Sequence, residues 1–213
     1  MTGIGEFVTA IVNQRSQISS NQSVLAAITG IDSCGKGYLT TQIAEALRAK
    51  NMRVSVIGID GWLNLPHKRF SNQNPAEHFY LHALRFDEMF AQLVFPLRNQ
   101  RSIQLEADFA EETATDYRKQ VYEFEDIDVI LLEGIYLLKQ AFQPYYDLSL
   151  WIDCTFDTAL ERAIAREQEG LSPKETIEAY HTIYFPAQQI HFERDNPRDS
   201  ATFRLINDPR LDS

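Results

Sequence analysis

Short apolar, β-branched segments alternate along this chain with stretches of helical period, and the first of them runs straight into Gly30-Ile-Asp-Ser-Cys-Gly35-Lys36-Gly37. That alternation predicts an α/β protein with a mostly parallel, doubly wound sheet flanked by helices. Residues 97–127 break the alternation and predict a small insert or lid rather than a separate domain. A length of 213 residues suits a single domain over 1–213.

The elements follow from period and punctuation. Residues 5–18, within an N-terminal helical region of 1–20, place Phe7, Val8, Ile11 and Val12 on one side. Val24 to Thr29 is an apolar run ending at Gly30, the pattern of a strand buried on both faces. Lys36 to Lys50 has helical period, with Leu39, Ile43, Ala46 and Leu47 on one face. Arg53 to Ile59 predicts a second strand, and the polar stretch Trp62 to Asn74 a loop. Pro75 to Phe95 predicts one long helix, opened by Pro75 and ended by Pro96. Asp128 to Leu132 and Leu148 to Ile152 predict two more strands, and Phe156 to Gln168 a helix. Ser172-Pro-Lys-Glu175 has the form of a capping box, so another helix starts there, to be kinked or ended by Pro186. Phe203 to Ile206 predicts a last short strand.

Composition narrows the function. A formal net charge of −10 gives no basic face for nucleic acid or an anionic membrane. No apolar run reaches the length of a membrane span, and the N-terminus has no basic region followed by an apolar core. The two cysteines, Cys34 and Cys154, lack metal or redox spacing, as expected of reduced thiols in a cytoplasmic protein. The expected partner is a small molecule; a homo-oligomer is compatible with the sequence and not required by it.

Gly30, Gly35 and Lys36 satisfy G-x-x-x-x-G-K. Glycines let successive backbone N–H groups converge on phosphate oxygens, and the helix that follows adds its N-terminal N–H groups and dipole. Lys36 supplies a point charge for β- and γ-phosphates. The candidate nucleotide-binding set is therefore Gly30, Asp32, Ser33, Cys34, Gly35, Lys36, Gly37 and Tyr38, with ATP and Mg²⁺ as the expected cofactors and a P-loop NTPase fold as the expected scaffold. A glycine turn that only joins strand to helix has the same local sequence; the strand before it and the helix after it favour the cradle. The next position calls for a Ser or Thr hydroxyl on Mg²⁺, and Gly37 stands there instead. Thr40 and Thr41 lie about a turn further on and do not take its place. Adenylate kinases are similar at this one position, which implies a metal held through water.

Two carboxylates end strands. Asp60 follows the second and Glu133 the third, which places both at the carboxyl edge of the sheet, where open α/β folds bind ligands. Phosphoryl transfer needs mainly positioning and charge neutralisation. Glu133 is the candidate for metal or its bound water, with Asp60 sharing that task through water, and Asp60 is the candidate base for an acceptor hydroxyl. A surface acid in a turn is the alternative for each.

With these pieces in place, the chain resembles the uridine kinase and phosphoribulokinase family of P-loop kinases from about Val24 to Asp208. The resemblance rests on the P-loop, Val-Ile-Gly-Ile-Asp60-Gly-Trp, Pro75 opening a helix, Ala-Asp108-Phe109, Val-Ile-Leu-Leu-Glu133-Gly134-Ile, the helix through Leu160-Glu-Arg162-Ala-Ile-Ala-Arg166, and Tyr184-Phe-Pro186-Ala187. It implies that Asp60 is the acceptor base and Glu133 the acidic metal position. It further implies that Arg162 and Arg166, on lid helices over about 155–195, reach the transferred phosphate. A solvated basic face would place the two arginines in the same way, opposite Phe156, Leu160, Ala163 and Ile164. The region 97–127 becomes the acceptor-side insert. Here the match weakens: Ala107 stands where a Tyr is expected, and no histidine occurs between His82 and His181. Asp108 could hold a sugar hydroxyl pair, and Trp62 or Phe109 could stack on a ring. Core positions for both rings are an equal alternative.

Other features carry less. His78 and His82 lack the companion ligands of a zinc site. Lys68-Arg69 and Arg98/Arg101 could steer a phosphorylated acceptor, although a solvated loop reads the same way. Cys34, inside the cradle, is by default a small filler. The expected function is transfer of the ATP γ-phosphoryl group to a small-molecule hydroxyl, with uridine or cytidine as the acceptor by resemblance. Pantothenate, glycerate or a sugar phosphate is the alternative acceptor, and a catalytically silent nucleotide-binding regulator the alternative class. A GTPase is disfavoured because no Asn-Lys-x-Asp segment appears.

Overall fold

The computed structural model describes residues 3–166 and 171–211. Its main sheet holds β1 (Val24–Gly30), β2 (Val54–Gly58), β5 (Val129–Gly134), β6 (Leu148–Asp153) and β7 (Phe203–Ile206) in the order β2-β5-β1-β6-β7. Every pairing in it is parallel. The hairpin of β3 (Ile103–Phe109) and β4 (Arg118–Phe124) is a separate antiparallel pair, which accounts for the break in alternation over 97–127.

Alternate residues of the central strands feed two cores. Leu25, Ala27, Ile130 and Leu132 face one, with Trp62, Phe90 and Leu93. Val24, Ala26, Ile28, Val129 and Leu131 face the other, with Phe7, Ile11, Ile43 and Leu47. Burial on both faces is what removes polar alternation from these strands. The second core is covered by α1 (Ile4–Gln17) and α2 (Lys36–Arg48).

The expected long helix from Pro75 to Phe95 is not continuous. It breaks into α4 (Pro75–His82), a turn, α5 (Phe86–Met89), a π-helical turn over Phe90–Val94 and α6 (Phe95–Gln100). Arg85 N donates to Trp62 O and Asn64 N to Ala83 O, both at 2.9 Å, so the loop after β2 claims the backbone groups a continuous helix would need. Within that loop Pro66–Arg69 forms a short helix, α3. Pro96 does not end the helix. The π turn ahead of it widens the spiral, which relieves the clash between the proline ring and the carbonyl four residues back. The same device carries the chain past Pro186. Beyond α7 (Phe156–Arg166), α8 (Pro173–Ala179) passes through a π turn at Tyr180–Tyr184 into α9 (Phe185–Asp195). A short α10 (Pro197–Ser200) precedes β7. The expected end of α7 at Gln168 lies outside the described residues. The capping box is formed, with Ser172 Oγ accepting from Glu175 N and Glu175 accepting from Ser172 N.

Candidate functional site

The turn between β1 and α2 is bound to its neighbours at several points. Gly35 has a φ of +95°, and a Cβ there would stand 2.3 Å from Asn207 Nδ2. A Cβ on Gly30 would meet Cys34 Sγ at 2.7 Å and Ile152 O at 2.8 Å. Both positions require glycine for separate reasons, conformation at one and close approach at the other. Asn207 Nδ2 and Arg162 Nη1 both donate to Cys34 O, at 2.8 and 3.2 Å. Ser33 Oγ lies 3.1 Å from the Tyr180 hydroxyl, which also donates to Asp32. Neither Asn207 nor Tyr180 was legible as a site residue, since each reaches the loop only through tertiary packing.

Lys36 is buried and its Nζ donates to Ile31 O at 2.9 Å. Burial works against its charge, yet the neighbouring Cys34, Asp32, Glu133 and Asp60 together outweigh it and hold the ammonium pKa above the ordinary value. Two strand ends bring in Glu133 and Asp60, while Asp32 belongs to the loop itself. Gly58 pairs with Glu133 in the β2–β5 register, and a Cβ on Gly134 would lie 1.9 Å from Ile59 Cγ2. That close approach seats Glu133 beside the turn carrying Asp60. Burial raises the pKa of both carboxyls, with Lys36 and Arg166 pulling the other way.

These groups share one cavity of about 540 Å³, within the range of small-molecule sites. Asp32, Ser33, Gly35, Lys36 and Gly37 line it with Asp60, Glu133 and Arg166. Of the other predicted residues, Gly30 and Cys34 lie beneath the loop. Tyr38 is exposed on the first turn of α2. Arg162 holds the loop from behind through the Cys34 carbonyl, whereas Arg166 faces the cavity.

Trp62, Asp108 and Phe109 do not line this cavity. Trp62 is fully enclosed, stacked on Tyr122 at 5.9 Å with the Arg85 guanidinium 5.2 Å from its ring, so it offers no surface to a ligand. Phe109 packs under Gly61 and against Arg118. Asp108 pairs with Lys119 at 2.8 Å on the hairpin. Arg69 corrects the opposite expectation: it is buried at the cavity wall rather than solvated, donates to Glu112 O, and its charge acts on Asp60.

Among the described residues no group of three or more His, Cys, Asp or Glu side chains stands ready to hold a metal alone. This donor set suits Mg²⁺, which keeps several waters and binds through one or two carboxylates plus phosphate oxygens. The Thr40 and Thr41 hydroxyls are tied to the Lys36 and Gly37 carbonyls at 2.9 and 3.0 Å and are turned away from that role. No helix of the described residues is long and apolar enough to cross a membrane.

Comparison with known proteins agrees with this geometry. The model of the phosphoribulokinase / uridine kinase family matches residues 25–183. A possible uridine kinase from Bacillus stearothermophilus superposes with a TM-score of 0.70 at 20% identity, covering 94% of this chain and 99% of the other. A D-glycerate 3-kinase from Cryptococcus neoformans var. grubii gives 0.67 at 11%, covering 98% and 96%. The phosphoribulokinase from Rhodobacter spheroides gives 0.62 at 12%, covering 88% and 71%. At these identities the likeness to solved structures is one of fold. The family match spans most of the chain and implies phosphoryl transfer from ATP with Mg²⁺, so this chain belongs to the phosphoribulokinase / uridine kinase family of P-loop kinases.

Proposed function

We propose that the chain transfers the γ-phosphoryl group of ATP to a hydroxyl of a small molecule, with Asp60 as the base. The observation that carries this reading is the convergence of Lys36, Asp60, Glu133 and Arg166 on one cavity above the loop. Lys36 and the loop N–H groups hold the nucleotide phosphates. Glu133 and Asp60 would hold Mg²⁺ through water, and the metal would supply charge neutralisation at the phosphates. Asp60 takes the acceptor hydroxyl proton as the oxygen bonds to γ-phosphorus and the bond to the ADP oxygen breaks. Arg166 neutralises charge on the transferred group, Arg162 keeps the loop in shape, and α7 to α9 act as the lid.

Uridine and cytidine are the first acceptors to test, on the family resemblance. A second reading, another hydroxyl compound such as glycerate, pantothenate or a sugar phosphate, is favoured by Trp62, Asp108 and Phe109 lying outside the cavity. The deciding experiment measures ADP release over a panel of these compounds with wild type and Lys36→Ala. One acceptor is expected to accelerate ADP release in wild type, and the variant is expected to lose it. Folded protein that binds ATP but responds to no acceptor would sink the kinase reading in favour of a nucleotide-binding regulator.

A further inference from the structure

Two other groups on the cavity wall have no part in this chemistry. Tyr136 lines the cavity and is 1% exposed, yet its hydroxyl meets no hydrogen-bond partner among the described residues. Gln188, on α9, also lines it at 1% exposed, and its Oε1 has no such partner. Buried polar atoms are nearly always paired, because leaving one unpaired costs the water contacts it gave up. Two orphans on one cavity wall point to a ligand that supplies the missing bonds.

The backbone supports this assignment. Tyr136 has a φ of +58°, a region that a bulky side chain rarely enters. Strain of that kind persists where the surroundings over-determine it, and it gathers at ligand sites. The Tyr136 ring stands edge-on to Tyr80 at 5.5 Å and to His191 at 5.3 Å. His191 is itself held by Nδ1 to Asp195 Oδ2 at 2.6 Å, and Tyr80 OH donates to the same carboxylate oxygen at 2.5 Å. Packing on two sides holds the ring, and with it the hydroxyl, in one place at the cavity wall.

We propose that Tyr136 and Gln188 are specificity-determining residues that hold a pair of neighbouring hydroxyls on the acceptor. One hydroxyl donates to Gln188 Oε1, and Tyr136 OH donates to the oxygen of the other. The inference rests on the kinase reading of the same cavity and names its substrate class, a small molecule with adjacent hydroxyls. A free sugar, a glyceric acid and the ribose of a nucleoside share that chemistry.

The test uses full-length wild type, Tyr136→Phe and Gln188→Met, each loaded with a non-hydrolysable ATP analogue. Calorimetry then measures binding of D-fructose, D-glycerate, uridine and 2′-deoxyuridine. One hydroxyl-pair compound is expected to bind wild type and to bind both variants at least tenfold more weakly, with affinity for the analogue unchanged. Loss of binding on going from uridine to 2′-deoxyuridine would assign the pair to ribose. Melting temperatures of the variants without compound should equal or exceed that of wild type, since each substitution removes a buried orphan atom; a fall in both would mark a structural role and overturn the assignment. Undiminished binding in both variants, or no binding to wild type, would also overturn it. ADP release measured on the same proteins separates the two claims. Binding lost in the variants with no ADP release anywhere defeats the kinase reading and leaves this wall standing; ADP release with unaltered acceptor KM does the reverse.

Discussion

Asp60 and Gly37 are the residues whose chemistry differs most from what their neighbours suggest. Burial raises the Asp60 carboxyl pKa, so the folded protein holds that proton more tightly than the unfolded chain. Such a group contributes stability below its unfolded pKa of about 3.9, and that stability is lost as pH rises through the higher folded value. At neutral pH the ionised carboxylate is therefore a cost to the fold. Asp60→Asn should leave the melting temperature equal or higher at pH 7 while cutting turnover by about 10²–10⁴-fold with ATP affinity retained. Thermal melts and single-turnover assays check both halves, and turnover that survives removes Asp60 from the role of base. For the same reason the acid limb of the wild-type rate profile should lie above the ordinary carboxylate range. Gly37 has nothing within 4 Å of where a Cβ would sit. Gly37→Ser should fold without rearrangement and stabilise α2, since glycine in a helix costs about 0.5–1 kcal/mol relative to alanine. The new hydroxyl should lower the Mg²⁺ concentration for half-maximal rate, which a metal titration reads directly.

Elements were legible wherever local pattern decided them. β1, β5 and β6 announced themselves as apolar runs because both of their faces are buried, and the capping box at Ser172 formed as its four-residue pattern required. The break at Ala83–Arg85 was not legible, because its cause is a loop about twenty residues earlier that competes for the backbone. Pro96 misled for a related reason: a π turn is not encoded by hydrophobic period, so a proline that looked terminal became internal, whereas Pro186, read as kinking or ending its helix, follows a π turn without ending it. The site divides along the same line. Lys36 opens α2, and Asp60 and Glu133 lie at strand ends, so all three could be read off, whereas Asn207, Tyr180, Tyr136 and Gln188 reach the site only through tertiary packing. Trp62 took the core position rather than the ring-stacking one, and Arg69 went to the cavity wall rather than to a solvated loop. The capping box offers a test at this scale. Ser172→Ala should cost about 1 kcal/mol, a fall of roughly 2–4 °C in melting temperature for a chain of this length. Because α8 leads into the turn carrying Tyr180, acceptor-dependent turnover should fall more than ATP affinity does.

For the molecule as a whole, two sets of titrating groups act on stability with opposite signs. Asp128, Asp195 and Asp208 are depressed: burial opposes their ionisation, and hydrogen bonds outweigh it, from Arg53 N and Arg15 at the first, from His191 and Tyr80 at the second, and from Thr155 and Thr158 at the third. Their contribution is present above an unfolded pKa of about 3.9 and disappears as pH falls through their lower folded values. Burial likewise depresses His191, against the pull of Asp195, so charging it on acidification below its unfolded pKa of about 6.5 adds to the loss. Asp60 and Glu133 act the other way, withdrawing stability as pH rises from about 4 through their raised values. The structural acids pin the C-terminal tail and the helix ends, while the site acids crowd one cavity, so the opposition is between holding the fold and equipping the site. A melting curve taken from pH 3 to pH 8 should therefore rise steeply from the acid side and then flatten or turn down before neutrality. Asp208→Asn should lower the plateau, because the neutral amide accepts the Thr155 and Thr158 bonds more weakly than the carboxylate does. The double variant Asp60→Asn, Glu133→Gln should lift the neutral side and leave the acid side where it was. A double variant that loses stability at pH 7 would mean that Lys36 needs those carboxylates to stay buried, which would make the site acids part of the scaffold as well as of the chemistry.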